Sequence, residues 1–253
     1  MMNVPCKAWA IEMNPDRVSL QPAYILHQRP YRDSSVIVEI LSAEYGRLGL
    51  LAKGARRERS RMHGLLQPFS SLILSWQGKG ELKTLTDVEP ARKIASLSGR
   101  CLMSGFYINE LLMRLLPRYD AHPELFGHYE QTLQALVISQ NAEIALRRFE
   151  CAMLDELGYG LNFYTEVTGE EIDVTAVYRY EIERGPVRIT KGSDTQRETG
   201  IIISGRTLLE LGQGCLQEAS LLREAKLMMR AILAHYIGDK PLQTAQASFH
   251  KVL

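Results

Sequence analysis

The feature that most constrains the fold of this chain is a change in the spacing of its apolar residues near Pro90. Before Pro90, apolar and β-branched residues come in five short runs separated by turns that contain glycine or proline, a pattern typical of β-strands. After Pro90, apolar residues recur every three to four positions, as they do on one face of an α-helix. Strands followed by helices predict an α+β protein. The five runs cover residues 23–27, 35–41, 47–52, 68–76 and 81–88.

Five short strands within about 70 residues fit a small closed barrel, and the five-stranded OB-fold is the leading candidate. An SH3-like barrel explains the pattern almost as well, and spacing alone does not separate the two. We expect an N-terminal extension at residues 1–21, an OB-fold domain at 22–90 and a helical domain at 91–253 with an irregular segment, 161–203, that contains two short strands. Helices are expected at residues 97–116, 123–139, 143–157 and 219–237, with a short one after Ser204.

Positive charge is concentrated in one part of the chain. The formal net charge is only +1, so a surface that binds nucleic acid must gather its cations locally. Residues 53–61 hold five basic residues and one acid, and residues 45–83 hold eight basic residues against two acids, a net of +6. Phosphate binding requires such a cluster, although charge runs are often only solvated connectors. The candidate DNA-binding residues are Arg47, Lys53, Arg56, Arg57, Arg59, Arg61, Lys79 and Lys83.

Aromatic side chains near this charge are candidates to stack on bases, although each is more simply explained as part of the core. Trp76 and Tyr31, which lie next to predicted turns, are the best of them. The full set is Tyr24, Tyr31, Tyr45, Phe69 and Trp76.

Arg147 and Arg148 lie beside apolar residues on the helix predicted at 143–157. Two arginines in this setting are candidates to capture the acidic end of a partner peptide. The simpler interpretation is that one arginine forms an intramolecular ion pair and the other is exposed.

The sequence contains no recognisable catalytic or metal-binding arrangement. The four cysteines are far apart and are interpreted as reduced thiols, and no His-Glu-x-x-His spacing occurs. Glu150, Asp155 and Glu156 are interpreted as the solvated side of a helix. We therefore expect no enzyme activity, no metal and no cofactor. Without a signal-peptide pattern or a long apolar run, we also expect a cytoplasmic protein with no membrane partner.

A series of short motifs carries a family resemblance. The first half contains His27-x-Arg29-Pro30, Gly46-Arg47, Leu51-Ala52-Lys53-Gly54-Ala55-Arg56, Leu66-Gln67-Pro68-Phe69 and Gly80-Glu81-Leu82-Lys83-Thr84-Leu85. The second half contains Tyr107-Ile108-Asn109-Glu110-Leu111, Leu146-Arg147-Arg148-Phe149-Glu150, Leu157-Gly158-Tyr159-Gly160, Tyr178-Arg179-Tyr180 and Gly238-Asp239-Lys240-Pro241-Leu242. In these motifs and their order, the chain resembles the RecO family of recombination mediators.

The resemblance implies an OB-fold, rather than an SH3-like barrel, that binds single- and double-stranded DNA. Family members anneal complementary strands, act with RecR, bind the acidic C-terminal tail of single-stranded-DNA-binding protein and help to load RecA. The implied location is the cytoplasm, in association with the nucleoid. Arg147 would be the candidate for the carboxylate of the tail, and the implied phosphate contacts are Lys53, Arg56, Arg57, Arg59 and Arg61.

One departure from the family concerns zinc. Many family members carry a four-cysteine zinc finger in the C-terminal half, whereas only Cys151 and Cys215 lie beyond residue 150 here. An equivalent element near residues 161–200 must therefore hold together without metal. Two other classes stay open: an enzyme with an unrecognised carboxylate cluster, and an adaptor that binds only protein through its helical domain.

Overall fold

The structure is a computed structural model that describes residues 16–92, 97–138, 142–190, 200–238 and 242–244. These residues form two compact units. The first unit is a β-barrel made of residues 16–42 and 48–92. The second unit contains five helices and a small sheet among its described residues, which are residues 43–47 and those from 97 onward.

The strands of the barrel are Arg17–Tyr31 (β1), Ser35–Ser42 (β2), Gly46–Ala52 (β3), Ser71–Gln77 (β4) and Leu82–Arg92 (β5). They close in the order β1–β2–β3–β5–β4, and β1 pairs with both β2 and β4. The β3–β5 pair is parallel, with Gly49 opposite Leu82, whereas β4–β5 is antiparallel. A parallel pair of this kind follows from the Greek-key connection of the OB-fold, and a barrel of antiparallel neighbours lacks it. The OB-fold prediction is confirmed.

The first strand begins earlier than the sequence predicts. Structure was expected from Pro22, but β1 begins at Arg17, which pairs with Gln77 at the end of β4. The register shifts between Val18 and Gln21, and Leu20 has φ +55°. This irregularity breaks the alternation of apolar and polar residues by which a strand is recognised. Residues 1–15 of the predicted extension lie outside the described residues.

The barrel core explains two different sequence patterns. β2 is buried along nearly its whole length, and its sequence is correspondingly apolar between its terminal serines except for the buried Glu39. β4 alternates instead, with Leu72, Leu74 and Trp76 buried and the residues between them partly exposed. Both patterns therefore report how many faces of each strand are covered.

The helices of the second unit are Gly99–Leu115 (α1), Pro123–Ile138 (α2), Ala142–Glu156 (α3), Gly205–Gly212 (α4) and Ala219–Ile237 (α5). Each confirms a helix predicted from apolar spacing. The buried residues of α5 include Met228, Met229, Ile232 and Leu233, which lie on one face and form part of the core. Gly158 follows α3 with φ +78°, the left-handed conformation that favours glycine at a helix C-terminus.

A three-stranded antiparallel sheet lies in the segment predicted to be irregular. Its strands are Val177–Glu181 (β6), Gly185–Arg188 (β7) and Ile201–Ser204 (β8), in the order β7–β6–β8. Two of them were predicted, but β7 was missed because four residues that begin Gly-Pro show no alternation. Polar contacts support this region: Arg188 pairs with Asp173 (2.5 Å), and the Tyr178 hydroxyl donates to Glu166 (3.1 Å). These bonds and the sheet hold the described part of this segment together.

Two helical glycines give predictions of opposite sign. A Cβ at Gly205 would lie 2.0 Å from the backbone oxygen of Asp173, which has no freedom to swing away. We expect Gly205→Ala to lower the free energy of unfolding by about 2–4 kcal/mol because the backbone must shift. At Gly127 in α2 a Cβ meets no atom within 4 Å, so Gly127→Ala should raise it by about 0.5–1 kcal/mol. Urea unfolding followed by circular dichroism measures both changes, and equal effects would contradict this account.

Candidate nucleic-acid interface

The basic loop, residues 53–61, connects β3 to the segment before β4. Its backbone is a series of tight turns, in which the N–H of Arg57 donates to the carbonyl of Gly54 (3.1 Å) and the N–H of Ser60 donates to that of Arg57 (2.9 Å). Gly54 has φ +70°, a conformation that glycine adopts without strain. The loop is therefore ordered by local backbone bonds that leave its charged side chains free to project outward.

All five cationic side chains of the basic loop are exposed. Arg56 makes one long hydrogen bond, from Nη1 to the carbonyl of Arg32 (3.4 Å). The other four form no ion pair or side-chain hydrogen bond with any residue in the described ranges. Cations that are not neutralised by neighbouring carboxylates are the groups that replace counterions along a phosphate backbone. These four are Lys53, Arg57, Arg59 and Arg61.

The folded barrel places two further cations, which the sequence prediction missed, beside the basic loop. The N–H of Arg56 donates to the carbonyl of Ser34 (2.9 Å), which holds the basic loop against the turn between β1 and β2. Arg32 lies in that turn and Arg29 near the end of β1, and both are exposed. The guanidinium of Arg32 lies 5.3 Å from the centre of the Tyr31 ring, within cation–π range. In the sequence, the only sign of these cations was the His27-x-Arg29-Pro30 motif. The count of charged residues over positions 45–83 did not include them, because they lie in an earlier segment of the chain.

The structure separates Lys79, but not Lys83, from the basic loop. Gly78, beside Lys79, donates its N–H to the carbonyl of Asp16 (2.8 Å) just before β1, whereas the basic loop contacts the turn after β1. Lys83 lies on β5 opposite Leu50 of β3, close to the point where the basic loop begins at Lys53. Lys79 pairs with Asp16 (3.7 Å), and Lys83 donates to the carbonyl of Gly78 (2.8 Å).

Arg47 is also held by neighbouring groups. It belongs to the part of β3 that is grouped with the second unit, and it is partly buried. Its Nε donates to the carbonyl of Leu116, beyond the last residue of α1 (2.9 Å). The favourable interaction of a cation with the C-terminal end of a helix accounts for this position.

The aromatic candidates divide between core and surface. Trp76 is only 2% exposed and Tyr24 only 1%, so both fill the barrel interior. The proposal of Trp76 as a stacking platform is therefore wrong, because its strand turns that position inward. Tyr31 is partly exposed beneath Arg32, next to the basic loop. Of the two best candidates, only Tyr31 remains available to a base.

Arg147 and Arg148 have opposite environments on α3. Arg147 is 3% exposed and forms an ion pair with the fully buried Glu150, whose carboxylate also accepts a hydrogen bond from the hydroxyl of Tyr107 (2.6 Å). Burial, reinforced by the carboxylate, raises the pKa of Tyr107 well above its ordinary value, so the phenol keeps its proton and donates. Arg148 is exposed and donates from Nε to the carbonyl of Gly214 (2.7 Å).

The buried ion pair corrects one sequence interpretation. Glu150, Asp155 and Glu156 were assigned together to the solvated side of α3, which is wrong for Glu150. Asp155 is exposed, and Glu156 lies partly exposed with its carboxylate 3.5 Å from Nδ1 of His122. A buried carboxylate requires a cation and hydrogen-bond donors around it, and Arg147 and Tyr107 supply both to Oε1 of Glu150. Oε2 of Glu150 has no hydrogen-bond partner in the described part of the chain.

The residue types that bind metals or act as thiols are scattered in the described part of the chain. Its residues include no group of three or more His, Cys, Asp or Glu side chains arranged to hold a metal ion. Burial raises the pKa of the Cys151 thiol to about 12, which keeps it protonated. Cys101 is also partly buried, whereas Cys215 is exposed, and Cys6 lies outside the described residues.

No helix within the described ranges combines the length and the hydrophobicity that a membrane crossing requires.

An OB-fold barrel that carries an exposed basic loop defines a class of protein, the OB-fold proteins whose loops and barrel face bind oligonucleotides. Comparison with known proteins identifies the family. A profile described as "Recombination protein O N terminal" matches residues 17–94, and one described as "Recombination protein O C terminal" matches residues 98–244. The chain belongs to the RecO family of DNA repair proteins.

Individual relatives agree with the profiles. The DNA repair protein RecO of Alkalilimnicola ehrlichii is 48% identical over 233 residues, which cover 92% of this chain and 91% of the relative. That of Nitrosococcus oceani is 46% identical over 229 residues, covering 90% and 92%. That of Methylococcus capsulatus is 41% identical over 234 residues, covering 92% and 94%. The similarity therefore extends over nearly the whole length of each protein.

Proposed function

We propose that this chain is a recombination mediator that binds single- and double-stranded DNA through its OB-fold barrel. The observation that carries the proposal is the basic loop, with five exposed cations in a chain whose net charge is +1. Release of counterions from the phosphates supplies much of the free energy of such binding. The basic loop, with Arg29 and Arg32 beside it, would form the main contact. Arg47, Lys79 and Lys83 would contact DNA elsewhere.

Strand annealing is the physical work that we propose for this surface. Positive charge screens the repulsion between two phosphate backbones, and base pairing then supplies the driving force. No catalytic residue is needed, so the proposed activity is not enzymatic. It would take place in the cytoplasm at the nucleoid.

The proposal includes protein partners for the second unit. The chain would act with RecR and help to load RecA onto DNA coated by single-stranded-DNA-binding protein, whose acidic C-terminal tail would bind at Arg147 and Arg148. Arg148 is accessible, and its charge suits a carboxylate. Nε and Nη1 of Arg147 have no hydrogen-bond partner in the described part of the chain, although Nη1 lies 4.0 Å from Oε2 of Glu143 as an ion pair. Arg147 is nevertheless 3% exposed, so the side chains that cover it would have to move before a tail carboxylate reached it.

The salt dependence of binding tests the proposal. If each of the five loop cations displaces a counterion, log Kobs should fall with log salt concentration with a slope of about −3.5 for single-stranded and about −4.5 for double-stranded DNA. Affinity for a single strand should thus fall about 100-fold between 50 and 200 mM salt. Fluorescence anisotropy of a labelled oligonucleotide measures the slope, and the rate of annealing of complementary strands should rise when the protein is added.

A flat salt response would contradict the proposal. A protein that binds no DNA but still binds an acidic peptide would instead be a protein-only adaptor that acts through its helical unit. The accessibility of Arg148 is the observation that favours this second candidate. Substitution of Arg147 or Arg148 by alanine would then weaken peptide binding.

A further inference from the structure

A cleft of about 210 Å³ lies between the basic loop and the barrel. Its floor is apolar and is formed by Val36 of β2 together with Ala55 and Leu66, each of which is buried. Binding sites for drug-sized molecules typically enclose about 300–1,000 Å³, so this cleft suits a smaller ligand. It lies directly beside the cations of the basic loop, and Arg56 belongs to both.

The rim of the cleft carries a paired donor and acceptor. Nε2 of Gln28 donates to Oε1 of Gln67 (3.0 Å), which orients the two side-chain amides against each other. The bond leaves the carbonyl oxygen of Gln28 as an acceptor and the amide nitrogen of Gln67 as a donor. Nucleobase edges present donors and acceptors at similar spacing, and glutamine amides read them through paired hydrogen bonds.

Two flat side chains also line the cleft. His63 contributes an imidazole ring and Arg56 a guanidinium group, and both are exposed at the rim. Unpaired bases stack on histidine rings and on arginine planes in nucleic-acid complexes. An apolar floor, polar edges and flat stacking groups together match a nucleobase, and the adjacent cations match its phosphates.

We propose that this cleft holds one unstacked base of a single DNA strand whose phosphates lie on the basic loop. The inference rests on the function proposed above and assigns a ligand to part of the same surface. A base within a duplex is paired and stacked, and it enters such a cleft only if it is flipped out at a cost in free energy. The cleft therefore adds affinity for single strands and none for duplex, so the surface distinguishes the two.

The test separates base binding from phosphate binding. The double variant His63→Ala/Gln67→Ala removes a ring and an amide from the rim without changing any Lys, Arg, Asp or Glu residue. The matched control is Gln77→Ala/Thr86→Ala, which changes two exposed neutral residues of the barrel that do not line the cleft. Each protein is titrated with a thymidine oligonucleotide, an abasic strand of equal length and a duplex, and thermal unfolding checks that each is folded.

Wild type should bind the thymidine strand more tightly than the abasic strand, and the rim variant should lose about ten-fold in this ratio, the effect of losing one base-stacking contact. Duplex affinity and the salt slope should stay as in wild type, and the comparison variant should match wild type throughout. An unchanged ratio in the rim variant would overturn the inference, as would an equal loss for all three probes. The failure of wild type to bind any probe would instead reject the proposed function itself.

Discussion

Reversal of charge in the basic loop is expected to abolish DNA binding at physiological salt. The substitutions Arg56→Glu, Arg57→Glu, Arg59→Glu and Arg61→Glu each change the charge by −2 and together take the net charge from +1 to −7. They remove four counterion-displacing groups and place carboxylates where phosphates would lie. We expect the affinity for single-stranded DNA to fall by at least about 1,000-fold at low salt. Fluorescence anisotropy measures the loss, and unfolding should be little changed because all four side chains are exposed.

A matched pair of variants separates the position of the charge from its amount. Arg59→Glu/Arg61→Glu and Lys79→Glu/Lys83→Glu each change the net charge by −4, but the first pair alters the basic loop and the second alters the β4–β5 turn and the start of β5. If the basic loop is the main contact, the first pair should weaken binding far more than the second. Equal losses would mean that binding responds to overall charge, and a larger loss in the second pair would move the main DNA contact to the β4–β5 turn and the start of β5.

Loss of the buried cation of α3 is expected to have the largest effect on stability. In Arg147→Met the fully buried carboxylate of Glu150 keeps the hydrogen bond from Tyr107 but loses its ion-pair partner. Breaking a buried pair from one side typically costs about 3–5 kcal/mol, because a charge is left uncompensated in a poorly solvated site. That is a large part of the stability of an ordinary domain, so we expect a clear fall in the urea midpoint.

Two further variants test the cause of this loss. Arg148→Met changes the same residue type one position further along, where the side chain is exposed, and should cost less than about 1 kcal/mol. Replacement of both charges in Arg147→Met/Glu150→Leu should recover much of the stability, because no buried charge is then left unpaired. If the double variant were no more stable than Arg147→Met, loss of packing rather than of charge would be the cause.

The same variants bear on the proposed partner tail. A loss of tail binding in Arg147→Ala would be ambiguous if the unit also lost its fold, because Arg147 supports the core. Arg148→Ala leaves the buried pair in place, so a loss of binding there would report contact with the tail directly. Each binding measurement therefore needs the unfolding curve of the same variant beside it.

The sequence by itself determined the position of the main charge cluster and the secondary structure apart from β7 and the start of β1. The helix predicted at 219–237 has the same bounds in the structure, because its apolar spacing and the glycine after it are local signals. The basic loop was also found from the sequence, since its cations are adjacent in the chain and a short turn-rich connection leaves them exposed. Features that depend on neighbours within a few residues were therefore predictable.

Only the tertiary structure decided which side chains are accessible and which distant residues meet. Parallel pairing of β3 with β5 settled the OB-fold, and the approach of the β1–β2 turn to the basic loop brought Arg32 beside Arg56. Trp76 and Arg147 were both candidates for surface contacts, and both are buried. The physical reason is that burial depends on what packs against a residue from elsewhere in the chain, and apolar spacing states only that some face is covered.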